Sequence, residues 1–222
     1  RTAFIDAHTP GSDQKENYTI IGAGVSESPD QHVHLSKTPG FNIGAAAQPA
    51  GCTNSLHSHR TAEVFIIHSG KWRFFWGLYG DKGEVVLEPG DVISLPTHMF
   101  RGFENITEKN DSNPNGYGFM FAVLGGNDSG GGVLWAPQVI EAAQAHGLVL
   151  LENGLLIDTH NGESIPEGIL PRKPLEGADL VVFDQNNIED PNRVLARKSH
   201  SGNLILGTSD KAKIREIPGF EI

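Results

Sequence analysis

The sequence predicts an all-β fold with a mixed C-terminal extension, and three observations carry that prediction. From about residue 62 to residue 125, short runs rich in β-branched and aromatic residues follow one another: "AEVFIIHSG", "KWRFFWGLYG", "GEVVLEPGDVISLP", "RGFENI" and "YGFMFAVLG". Gly, Pro, Asn and Asp punctuate these runs at close intervals, the signature of an antiparallel sandwich or barrel. A clear helical signal comes only after them, in "APQVIEAAQAHG".

Residues 1–30 are polar and broken by Gly, Pro, Ser and Asp, so an N-terminal arm with little regular structure is expected there. Residues 31–125 form the predicted barrel, opening with "HVHLSKTPGFNIGAAAQ". Its strongest local turn is Pro89-Gly90-Asp91, between two strand-like runs. Trp72, Phe74 and Trp76 alternate along one strand, with Phe75 on the other face, as barrel packing requires. Residues 126–222 are read as an extension packed on the barrel. Pro137 suits a first helical position and Gly147 a stop. In "LVLLENGLLIDT", Asn153-Gly154 between apolar runs signals a hairpin. Residues 161–179 carry many Pro and Gly and are expected to be loop; "ADLVVFD" and "NLILGTSD" are strand candidates. No internal repeat is found.

Composition narrows the function classes. Lys+Arg 17 against Asp+Glu 27 gives a net charge of −10, and no basic block exists to neutralise phosphates, so neither nucleic acid nor an anionic membrane is an expected partner. The single cysteine, Cys52, excludes an internal disulfide framework and suits a reducing compartment. No apolar run approaches the roughly 20 residues that span a bilayer, and no signal-peptide pattern opens the chain. A cytoplasmic location is expected, with Asn-x-Ser/Thr triplets at Asn17, Asn105, Asn110 and Asn127 leaving secretion open.

The chemistry concentrates in "GCTNSLHSHRTAEVFIIHSG". Residues two apart on a strand share a face, so His57 and His59 project together, and Glu63, Phe65 and Ile67 share a face on the next run. A carboxylate joining two imidazoles on the apolar inside of a barrel is costly unless a positive charge sits there. A divalent metal supplies that charge, and two histidines with one carboxylate is the facial arrangement of non-haem iron(II) oxygenases. The competing reading makes all three polar residues of a solvated strand.

The wider spacing runs Gly51, five residues, His57, one residue, His59, three residues, Glu63, six residues, Gly70. It resembles the first motif of the cupin superfamily, with every fixed position filled. Gly90, Asp91, Pro96 and Asn105 fall in register with the second motif, and the resemblance covers roughly residues 40–125. It implies a jelly-roll β-barrel holding the site inside, a homodimer, and bound iron, manganese, nickel or zinc. It carries over three ligands, His57, His59 and Glu63. Two positions depart from the motif: His98 stands for its glycine and Arg101 for its last histidine. Arginine has no lone pair for a metal.

Three readings of Arg101 follow. In one, His57, His59 and Glu63 hold the metal, iron being favoured, and Arg101 fixes an anionic group of a small-molecule substrate. In another, His98 becomes a ligand, although strict alternation sends it to the face opposite Arg101. In the third, Arg101 replaces the metal's charge, pairs with Glu63 and leaves a metal-free binding pocket. The first implies a dioxygenase-type oxidoreductase for a small aromatic or diketone-like substrate, with Arg101 and Glu63 acting in catalysis. A metal-dependent hydrolase, lyase or isomerase is a variant of it, and a metal-free small-molecule-binding cupin is the alternative.

The remaining polar groups have plainer readings. His32 and His34 suit a half-exposed strand face, His68 points away from the site, and Cys52 suits a small buried residue. Phe103 shares a face with Arg101 and could line a cavity. "LGGNDSGGG" lacks the lysine of a phosphate loop and is read as a flexible connection and lid candidate. Asp158 and His160 have no assigned place.

Overall fold

Strands with one apolar face must bury it against another layer, and here two sheets bury theirs against each other. The computed structural model describes residues 4–28, 31–127, 133–176, 195–197, 203–206 and 213–216. In chain order the strands are β1 (Glu16–Ile21), β2 (Val33–Leu35), β3 (Phe41–Gln48), β4 (Thr53–Ser58), β5 (Glu63–Ser69), β6 (Trp72–Trp76), β7 (Gly83–Leu87) and β8 (Val92–Leu95). They continue as β9 (Arg101–Asn105), β10 (Gly118–Gly125), β11 (Leu134–Trp135), β12 (Leu148–Leu150), β13 (Leu156–Asp158), β14 (Leu195–Arg197), β15 (Asn203–Leu206) and β16 (Lys213–Glu216). One α-helix, α1 (Pro137–Ala145), and a 3-10 turn, Ile5–His8, complete the described elements.

The first sheet runs β16-β15-β14-β8-β5-β10-β3-β1-β2 and the second β11-β4-β9-β6-β7. This is an all-β jelly roll, antiparallel apart from the β1–β2 pair, as the strand signals predict. Between the sheets Phe65 meets Phe74 and Phe103 at ring distances of 5.1 and 5.2 Å, and Trp72 closes on Phe103 at 5.9 Å. Trp72, Phe74 and Trp76 are all buried, whereas Phe75 lies on the other face beneath the Arg73 guanidinium. The turn at Pro89-Gly90-Asp91 is closed by the Asp91 N–H on Glu88 O at 2.9 Å and the Glu88 N–H on Asp91 Oδ2 at 2.8 Å.

Two motif residues prove architectural. Gly70 sits at φ +83°, where a Cβ would lie 2.8 Å from the Gly118 Cα, so the β5–β6 turn requires glycine. Asn105 is fully buried and ties three segments together. Its Nδ2 donates to Gln48 O at 2.6 Å and Gly116 O at 2.8 Å, and its Oδ1 accepts from the N–H and the hydroxyl of Thr107.

The N-terminal arm departs from expectation. Residues 16–21 form β1, which pairs antiparallel with β3 and parallel with β2 inside the main sheet. Its polar "ENYT" start hid it, because most of the strand is only partly covered. Ile5 is buried in the same core as Val139, Ile140 and Ala143 of α1. The N-terminal turn and the helix thus pack on each other beside the barrel.

The extension follows its signals: α1 starts at Pro137, and β12 and β13 pair across Asn153-Gly154. Residues 161–176 contain neither helix nor strand beyond one bridge at Pro171. "ADLVVFD" lies outside the described residues, while "NLIL" forms β15. No described helix is long and apolar enough to cross a membrane.

Asn105→Asp removes both donors and strands the Gln48 and Gly116 carbonyls. At about 1–3 kcal/mol for each buried group left unsatisfied, a loss of about 3 kcal/mol is expected. It would be read as a lower urea midpoint at unchanged slope; an unchanged midpoint would show that these bonds contribute nothing net.

Candidate functional site

The histidine pair sits at the end of β4, the glutamate opens β5 in the facing sheet, and the arginine opens β9. β4 and β9 are neighbours, and their register puts His57 opposite Arg101. The register slips between Asn54, opposite Phe103, and His57, so β4 carries a bulge there. A bulge inserts a residue and reverses the alternation. Asn54 therefore lines the same cavity as His57, although they are three apart.

His57, His59 and Glu63 are buried, and one ligand atom from each lies within 4.8 Å of the others, which fits a metal ion. Each imidazole is held by its inner nitrogen. His57 Nδ1 donates to Ser55 O at 2.7 Å and His59 Nδ1 donates to Thr61 O at 3.0 Å, which turns both Nε2 lone pairs inward. The expected convergence of the three residues is realised.

Arg101 fills the remaining corner. It is fully buried; its Nη2 donates to His59 Nε2 at 2.7 Å and to Glu63 Oε2 at 3.2 Å, and its Nε reaches the same oxygen at 3.3 Å. Nη1 donates to Met99 O at 2.7 Å. Protein acceptors thus take four guanidinium hydrogen bonds. The expectation that Arg101 offers its fork to a substrate anion does not match this arrangement, because Glu63 already takes that place. His98 also stays away from the cluster: it is exposed at φ +65°, the turn geometry its motif glycine would adopt, and its N–H donates to His59 O.

The electrostatics follow from this pairing. Burial alone would raise the Glu63 carboxyl, but His59, Arg101 and His57 outweigh it and hold the pKa down to about 2. Burial, reinforced by the Arg101 charge, pushes His57 down to about 3, so its imidazole is neutral at physiological pH. Burial also lowers the pKa of Arg101, with Glu63 opposing the shift. The Glu63 carboxylate and the Arg101 guanidinium thus face each other as an ion pair beside a neutral His57 imidazole.

A cavity of about 80 Å³ opens beside the cluster. Ala46, Phe65, Phe103 and Leu124 give it apolar walls, with His57, Glu63 and Asn54 at its polar end. Phe103 lines it as expected. Asn54 is nearly fully buried, and its amide oxygen has no hydrogen-bond partner among the described residues. Strict alternation would place Asn54 with Leu56 and Ser58, away from His57, so only the bulge reveals its role. Phe4 and residues 23–26, from the segment read as an arm, form another wall. Trp135, opposite His57 on β11, brings its ring to 5.5 Å from the imidazole.

The other candidates lie elsewhere. His32, just before β2, and His34 within it touch each other at exposed positions, and His68 packs outward on Phe119 and Phe121. Cys52 is buried, and burial raises its thiol pKa, so it is no activated nucleophile. Asp158 ends β13 and lies 3.5 Å from His8, whose ring stacks with His160. Of the glycine-dense connection, Leu124 lines the cavity and residues 128–132 lie outside the described residues.

Residues 46–111 match the family model of the cupin domain. No curated protein matches the chain. Among solved structures, the DMSP lyase DddQ from Ruegeria pomeroyi DSS-3 is similar at 16% identity and TM-score 0.42, over 55% of this chain and 52% of that one. A cupin 2 domain-containing protein from Halorhodospira halophila is similar at 13% identity and TM-score 0.42, over 60% and 79%. An oxalate oxidase in complex with the substrate analogue glycolate is similar at 16% identity and TM-score 0.44, over 63% and 62%. The chain spans about half the length of the DMSP lyase. The two motifs, the matched segment and the jelly roll that carries them make residues 46–111 of this chain a cupin domain.

Proposed function

We propose that this cupin binds a small, uncharged, largely apolar molecule in a pocket where Arg101 supplies the cationic charge. One observation carries the reading: the guanidinium donates to both His59 Nε2, at 2.7 Å, and Glu63 Oε2, at 3.2 Å, and so engages two of the three atoms a metal would need. A dication placed there would face a buried positive charge, so metal binding and these Arg101 contacts exclude each other. The charge balance between Glu63 and Arg101 leaves nothing to attract an anion. The Asn54 amide and the inward lone pair of His57 remain for a ligand's hydroxyl or carbonyl, with the apolar walls taking its body.

A second reading is supported by the three donors within 4.8 Å of one another, each imidazole oriented by a carbonyl. In it His57, His59 and Glu63 hold a divalent ion, iron by preference, and the chain is a dioxygenase-type enzyme for a small aromatic or diketone-like substrate. The ion would supply Lewis-acid and redox chemistry there. The chain's own residues would orient it, exclude water and place Asn54 against the substrate, once Arg101 had turned away.

Elemental analysis and calorimetry separate the two. Under the binding reading, wild-type protein purified without chelator carries substoichiometric metal that His57→Ala/His59→Ala does not change. Arg101→His, which completes a three-histidine, one-carboxylate set, gains at least about tenfold in Co2+ affinity. Arg101→Met leaves Glu63 buried with His59 Nε2, 3.2 Å from its Oε2, in place of the ion pair and loses about 3 kcal/mol of stability, with Co2+ raising the melting temperature of the variant but not of wild type. Stoichiometric metal in wild type, lost in the double variant, would establish the second reading instead.

The neutrality of the pocket gives a separate test. Phenol and acetylacetone should bind at pH 7 by saturation-transfer NMR and benzoate should not, and Asn54→Leu should weaken phenol binding at least about fivefold. Benzoate binding as tightly as phenol would contradict a charge-compensated site.

A further inference from the structure

Residues 23–28, between β1 and β2, form a wall of the cavity with unusual surroundings. On the inner side, Ala23, Gly24, Val25 and Ser26 face the cavity that contains His57 and Glu63. On the outer side, Ala23, Ser26, Glu27 and Ser28 line a second cleft of about 320 Å³. The segment therefore separates two open spaces. Val25 packs on the edge of the core and the Gly24 N–H reaches Asn42 Oδ1 at 3.4 Å, and a further group fastens the segment's far end.

That group is Glu27. Its Oε1 accepts the Trp135 indole N–H at 2.7 Å, and its Oε2 accepts the Ile5 backbone N–H at 3.0 Å. Both partners belong to the site's surroundings. Trp135 is the register neighbour of His57, with its ring 5.5 Å away, and Phe4, beside Ile5, meets Trp135 edge-on at 6.1 Å. One carboxylate thus joins the wall, the N-terminal turn and β11 around the same cavity.

We propose that Glu27 is a positioning residue acting as a clasp: its two hydrogen bonds hold residues 23–28 closed over His57, and breaking them lets the segment swing into the outer cleft and opens the cavity. The inference concerns access to the cavity and holds whether its occupant is an organic molecule or a metal.

The clasp has a pH dependence that supports the geometry. Burial pushes the Glu27 carboxyl up from 4.5 to about 7, although the Trp135 and Ile5 bonds oppose the shift. Asp6 on the 3-10 turn, itself paired with Lys15, adds to the rise, and Arg172 from the extension counters it. Because the folded value is raised, the stabilisation is fully present below about 4.5 and is lost as pH rises through about 7. The wall therefore loosens as pH rises through neutral.

Hydrogen–deuterium exchange on the full chain tests this, since the Ile5 amide is itself a clasp bond. In Glu27→Ala, exchange across residues 4–8 and 23–28 should rise at least about tenfold, while peptides of β5 and β10 stay unchanged. Trp135→Phe, which deletes one donor and leaves the carboxylate, should raise exchange at the same residues by a smaller factor. In wild type, exchange there, corrected for intrinsic rates, should rise between pH 6 and pH 8, and in Glu27→Gln it should be flat. Unchanged exchange at 4–8 and 23–28 in Glu27→Ala would overturn the proposal. So would a rise shared equally by the barrel strands in both Glu27→Gln and Trp135→Phe, because that would mark general loosening. If Glu27→Ala does not fold, the pH profiles of wild type and Glu27→Gln decide alone.

Discussion

The site depends on one interaction, the fully buried pairing of Arg101 with Glu63 and His59. Neither charge could stay ionised alone between two sheets of Phe, Trp and Leu side chains, because an uncompensated ion in a low-dielectric interior costs several kcal/mol. Together they need only good geometry, and the structure supplies it: two guanidinium N–H groups on one carboxylate oxygen, one on an imidazole nitrogen and one on a backbone carbonyl. The pair also sets the charge state of its neighbour, since the guanidinium helps to keep His57 neutral. A pocket that would otherwise call for an added cation carries its own.

That pairing in turn depends on strand register. Arg101 reaches the histidines because β9 lies beside β4 with residue 101 opposite residue 57. Glu63 reaches both because β5, in the opposite sheet, begins where the chain crosses over. The bulge before His57 turns Asn54 to the same side, so one irregularity in one strand brings a buried amide to the cavity beside His57. A regular β4 would turn Asn54 away from His57. The arrangement explains how a motif can keep its glycines, proline and asparagine while changing a ligand. Gly70 and Asn105 serve the barrel, whereas residue 101 serves the charged cluster beside the cavity.

Much of this could be read from the residues, for a definite reason. Strands β5 to β8 carry clean alternation between turn residues, because each has one face on a shared aromatic core and the other more exposed. The convergence of His57, His59 and Glu63 followed from spacing, since strand periodicity fixes which side chains share a face. The position of Arg101 was equally plain; its partners were not. Whether a guanidinium turns to a substrate or to Glu63 is decided by distances across two sheets, which a linear pattern does not carry. Asn54 was hidden because a bulge breaks the alternation by which faces are assigned. Strand β1 was hidden because only Thr19 along it is buried, so its composition resembles a loop's.

The N-terminal segment shows how the cavity comes to be enclosed. A two-layer barrel is open at its ends, and an open end would admit water to Glu63, weaken every charge contact there and remove the reason for Arg101 to be paired so closely. Here the closure comes from outside the strands that carry the motifs: Phe4 and residues 23–26 wall the cavity, Trp135 lies beside His57, and Glu27 joins them. The site therefore has two tiers with different tolerance for movement. The inner tier, held by buried charge pairing and strand register, resists opening, because separating Arg101 from Glu63 would leave each ion unpaired in an apolar interior. The outer tier is held by the two Glu27 hydrogen bonds, the Gly24–Asn42 contact and the edge packing of Val25, with the cavity on one side and a cleft on the other. Opening that admits a ligand without disturbing the charge balance has to occur in the outer tier, and the chain places its weakest fastening there.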